Sequence, residues 1–96
     1  MISYKALDVK DMEKTKGCSI EDIVTNPTIE NIEYLLIKGM GKTKNDIIEE
    51  IDDLLKEHTK TGLMMMIMEA LVEGGFLDEQ ILKLAKQYQA RLAEAK

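Results

Sequence analysis

Apolar residues recur every three or four positions through most of the chain, with polar residues between them, which is the spacing of helix faces. Ala6, Val9 and Met12 form a first short stripe that ends at Gly17. Ile29, Ile32, Leu35 and Leu36 form a second, and Ile47, Ile48, Ile51, Leu54 and Leu55 a third with acids on the opposite face. No run alternates with the period of two that a half-buried strand needs. From Leu63 to Val72 the sequence is apolar on nearly every side, with Glu69 as its one charge, and Gly74 and Gly75 end it. A helix of that kind is buried or is covered by a partner. After Asp78, placed as an N-cap, Ile81, Leu82, Leu84, Ala85, Tyr88 and Leu92 mark a last amphipathic helix over about 78–94. Its basic residues gather toward the C-terminal end, which the helix dipole favours.

Three local signals start these segments. Ser19 is followed three positions on by Asp22, Thr28 by Asn31 and Thr43 by Asp46. In each, the hydroxyl can accept from a free N–H of the first turn, and the acid or amide three places on reaches back or complements the dipole. The pattern predicts an all-α protein: one small domain, residues 1–96, built as a bundle of five or six short helices.

Composition narrows the class without naming a chemistry. The chain is 45% apolar and 32% charged, too hydrophobic for intrinsic disorder and too charged for a bilayer. Its longest apolar run, Leu63 to Met68, is far short of the roughly 20 residues of a membrane span. The N-terminus lacks the apolar stretch of a signal peptide, and a single cysteine, Cys18, cannot form an internal disulfide, so a cytoplasmic location is expected. A net charge of −5 does not suit a nucleic-acid binder. That charge is uneven: residues 46–57 hold six acids and one base, while Lys83, Lys86, Arg91 and Lys96 against Glu94 make the last fifteen residues +3. Opposite ends of that kind favour weak, salt-sensitive head-to-tail self-association.

The candidate chemistry is thin. The stretch IKGMGKTKND, Ile37 to Asp46, contains the Gly-Lys-Thr that closes a phosphate-binding loop, but the required earlier glycine would fall at Leu36, and the preceding segment is a helix stripe and not a strand. Gly39 and Gly41 instead read as left-handed stops for a helix ending near Lys38, with Thr43 capping the next. Glu49, Glu50, Asp52 and Asp53 interleave with Ile51 and Leu54 and so read as a solvated helix face, because calcium loops place their oxygens on irregular backbone around a glycine. His58 stands alone where a helix should end, and Cys18 reads as a small filler with no base near it in sequence. No catalytic residue, cofactor or metal is expected, and the chain does not read as an enzyme. The least ordinary feature is the run LMMMIM. Methionine is flexible and polarizable, so the run serves either as core filler or as core with an edge that faces a partner. On the second reading Leu63, Met64, Met65, Met66, Ile67 and Met68, with Tyr88 and Leu92 of the last helix, are the candidate partner-binding residues.

The order of motifs carries a resemblance. VKDMEKTKGCSIEDI (Val9 to Ile23) is followed by NIEYLLIKGM, by the threonine-capped acidic segment TKNDIIEEIDDLL, and by IMEALVEGGFL. Over residues 6 to about 77 this succession resembles the tail assembly chaperones of long-tailed bacteriophages and gene-transfer agents. The resemblance implies a small helical, non-catalytic protein that coats the tape measure protein, keeps it soluble and helps bring tail tube protein to it. It also implies work in the cytoplasm of the bacterial host and absence from the mature virion. From another class, a small acidic phage or bacterial regulator that sequesters a single protein partner fits the same composition.

Overall fold

A computed structural model describes residues 2–94 of the protein, with side chains as far as Gln87. Among the described residues there are five helices and no strand: α1 (Ala6–Lys16), α2 (Ile20–Val24), α3 (Ile29–Met40), α4 (Lys44–Glu73) and α5 (Glu79–Glu94). All three hydroxyl starts form. The Asp22 N–H donates to Ser19 Oγ at 3.3 Å, the Asn31 N–H to Thr28 Oγ1 at 3.1 Å and the Asp46 N–H to Thr43 Oγ1 at 3.2 Å. Asp78 caps α5 by accepting from the Gln80 N–H at 2.9 Å. The start of α2 has a second acceptor from outside itself: its Ile20 N–H donates to Glu13 Oε2 of α1 at 2.8 Å, which locks the two helices together across Gly17.

The stripes are the core. Val9 and Met12, Ile20 and Ile23, Ile32, Leu35 and Leu36, Ile47 and Ile51, and Leu63, Ile67 and Leu71 bury into one continuous cluster, closed by Leu77 and Leu82. Burial of this kind contributes roughly 1.5–3 kcal/mol for each large aliphatic side chain, and supplies most of what holds short helices in place. The edges of the stripes remain outside: Ile29 and Ile48 are exposed.

The sequence separated the stripe at 47–55 from the apolar run at 63–72. The two are limbs of α4, joined by a break of one residue at Thr59 (φ 65°, ψ 164°). His58 ends the first limb, as expected, and Thr59 starts the second by accepting from the Gly62 N–H at 3.1 Å.

Two expectations need correction. Gly39 is not a left-handed stop: α3 runs through it to Met40, and Gly41 alone takes the left-handed conformation (φ 66°). Gly39 is buried under the segment that precedes α1. The Ser3 N–H donates to the Gly39 carbonyl at 2.9 Å, the Tyr4 hydroxyl donates to the Leu35 carbonyl at 2.7 Å, and the Tyr4 ring covers the space where a side chain at position 39 would be. Burial, and secondarily the Asp8 carboxylate, pushes the Tyr4 phenol far up, so it stays a donor throughout the stable range. Cys18 is not filler: it is exposed in the turn after Gly17.

A polar tie joins α1 to α3. Lys38 Nζ donates to Asp11 Oδ2 at 2.7 Å, and this bond, with the charge of Lys38, holds the Asp11 carboxyl below the usual carboxylate range. The same bond raises Lys38 above its ordinary value. Asp11 therefore adds stability above the unfolded carboxylate pKa and loses it as pH falls through its lowered value. Lys38 adds stability below the usual lysine pKa and loses it as pH rises through its raised value. Both groups meet solvent, so the effect is small. Asp11→Asn is expected to melt slightly below the parent at neutral pH and to converge with it in acid. A gap unchanged on acidification would show that the pair contributes nothing electrostatic.

Candidate functional site

The second limb of α4 distributes its methionines among three surroundings. Residues 64, 67, 68 and 71 follow helical spacing and turn inward, together with Leu63, while the positions between them fall to either side. Leu63 and Ile67 are 1% and 0% exposed, so these two candidate partner residues are interior. Met64 and Met68 are buried but reach a groove with their edges, Met65 is half-buried in its wall, and Met66 is 38% exposed on the outward side. Met66 belongs to a smaller hollow of about 210 Å³ with Ile2, Ala70, Glu69 and Glu73. Tyr88 and Leu92 lie in α5 beyond the residues whose side chains are described.

The groove has a volume of about 590 Å³. Val24, Thr25 and Pro27, at the end of α2 and the turn after it, form one side. Met64 and Met68 of α4, the more buried, form the floor, with Thr61 and Met65 in the wall beside them, and Ile81, Leu84 and Ala85 of α5 the other side. Apart from two threonines every lining side chain is apolar, and Leu84 stands 63% exposed at the margin. Three local features build it. The cap at Thr59 aims the second limb, Gly74 and Gly75 end it, and the Asp78 cap returns α5 antiparallel against it. Lys86 of α5 meets Glu69 of α4 at 3.4 Å on the surface. An apolar trough with flexible methionines on its floor and no charge inside has the chemistry to take up apolar side chains.

Of the groove, the sequence named Met64, Met65 and Met68; it did not name Val24, Thr25, Pro27, Thr61, Ile81, Leu84 or Ala85 as partner residues. The usable signal was in α5, where Leu84 adds an apolar position beside the inward Ile81, Leu82 and Ala85. Nothing local in the α2 turn indicates that it faces α5.

The remaining chemical candidates are placed as follows. The lysine of Gly-Lys-Thr, Lys42, donates to both carboxylate oxygens of Glu50, at 2.9 and 2.8 Å, so it braces the corner between α3 and α4. Glu49, Asp52 and Asp53 are exposed on the first limb of α4, and His58 Nε2 is 3.8 Å from Glu57 Oε1. No group of three metal-ligating side chains occurs among the described residues.

No described helix is long and apolar enough to cross a membrane. Set against protein-family models, curated proteins and solved structures, the chain matches none of them.

Proposed function

We propose that the protein is a tail assembly chaperone of the long-tailed bacteriophage type. It binds apolar helical stretches of a tape measure protein, keeps that protein soluble in the host cytoplasm, helps recruit tail tube protein, and is left out of the finished virion. Its role is non-catalytic. The observation that carries this reading is the apolar, methionine-floored groove between α2, the second limb of α4 and α5. A tape measure protein presents long runs of helix with apolar stripes, and a trough lined by adaptable side chains takes many such sequences in turn without demanding one. The net charge of −5 keeps the coated complex dispersed. A single groove of this size gives modest affinity, but many sites along one client hold together through effective concentration.

Co-expression with a long helical tape measure protein tests it. The client is expected to move from the pellet to the soluble fraction and to copurify with the protein. A client that stays insoluble, or that dissolves without copurifying, would contradict the reading.

A further inference from the structure

The residues around the break in α4 mark a helix boundary, since Thr59 caps the second limb, but they do not call for a strained backbone there. Thr59 sits at φ 65° and ψ 164°, a corner of backbone space that glycine enters readily and a β-branched residue does not, while the residues on either side of it are helical. From Lys56 to Gly62 there is no proline, the residue that would forbid a continuous helix. What holds the break is the packing of the two limbs on one core. A straight α4 of 30 residues would be about 45 Å long. The longest extent of the molecule is 37 Å, so a straight α4 would reach past the core that its two bent limbs share. The second limb would leave and carry α5 with it, uncovering Leu63, Met64, Ile67, Met68 and Leu71. The surface shaped to receive those side chains is the one they left, and a second copy presents it.

We infer that Thr59 is the hinge of a domain exchange, in which α4 straightens and the second limb with α5 packs on the core of a second copy of this chain. Each copy regains the buried contacts it gave up, and the strained residue relaxes into helix, which is the circumstance in which a short hinge opens into an exchanged dimer. The groove is then built from two chains: Val24, Thr25 and Pro27 from one, Met64, Met65 and Met68 with Ile81 and Leu84 from the other.

Three proteins test it by light scattering after size exclusion over a range of concentrations: the parent, Thr59→Gly and Thr59→Ala. Glycine accepts the bent backbone, so Thr59→Gly is expected to shift the equilibrium toward monomer by roughly tenfold. Thr59→Ala keeps the penalty at φ 65°, removes the capping hydroxyl and favours helix, so it is expected to enrich the dimer. An exchanged dimer separates only by unfolding, so on dilution it is expected to persist for roughly minutes or longer, whereas a surface dimer re-equilibrates during mixing. Equal dimer fractions in the two variants at matched helicity, or dimers lost within the mixing time, would overturn the inference. If Thr59→Ala proves too unstable to purify, Thr59→Gly against the parent carries the same comparison.

Discussion

Gly39→Ala destabilises the protein although alanine is the better helix former. In the last turn of α3 the exchange should add at most about 1 kcal/mol by propensity alone. The new Cβ, however, would lie 2.6 Å from the Tyr4 hydroxyl oxygen, 2.7 Å from its ring carbon and 2.8 Å from a methyl of Ile2. Tyr4 has no easy way to yield, since its hydroxyl is tied to the Leu35 carbonyl at 2.7 Å and the neighbouring Ser3 N–H to Gly39 itself at 2.9 Å. Overpacking of this kind costs roughly 1–3 kcal/mol and displaces a buried aromatic as well, so the clash outweighs the propensity gain. A fall in melting temperature of about 4–8 °C per kcal/mol follows for a domain of this length. In a Tyr4→Ala background, already weakened by the missing ring, the same Gly39→Ala exchange loses its two closest contacts and keeps the Ile2 methyl at 2.8 Å, the end of a flexible side chain, so its cost is expected to fall sharply. That fall is the readout: if Gly39→Ala costs as much without the ring as with it, Tyr4 is not what keeps position 39 empty.

The second large effect concerns the groove. Met65→Glu sets a carboxylate in a wall now formed by a half-buried thioether. In the free protein that charge reaches water, so helicity and melting temperature should change little. Under a bound helix it is desolvated without a partner, at a cost of several kcal/mol on top of the lost apolar contact. Client affinity is expected to fall by about a hundredfold or more, enough for the client to return to the pellet. Met66→Glu is the matched control, since it changes charge by the same amount one residue along on the outward side. It is expected to leave client binding within about twofold. Loss of binding by Met66→Glu with retention by Met65→Glu would place the client on the smaller hollow and not in the groove.

The contrast between those two methionines shows where the sequence stopped being informative. Helix starts were legible because a cap is a local event: Ser19, Thr28, Thr43 and Asp78 each bond a backbone N–H within three residues. The inward stripes were legible because their period matches the helix. Gly39 was misread because glycines two apart at a helix end look alike until the partner is known, and that partner, Tyr4, lies 35 positions away on a segment with no periodic signal. The end of the first limb at His58 was legible, but the strained backbone of Thr59 was not, because it depends on the docking of both limbs on one core. The run from Leu63 to Met68 offered six apolar residues and no means of choosing among them. Assigning Met65 to a groove and Met66 to the opposite side required the position of α5.

The central claim is that the groove serves repeated copies of this protein along one long client. The mass of the copurified complex tests that most directly, read by multi-angle light scattering after size exclusion with the two components resolved by composition. Many copies of the 10.9 kDa chain per client, rising with client length, is the predicted result. One copy per client, whatever its length, would contradict it and identify instead a regulator that sequesters a single partner.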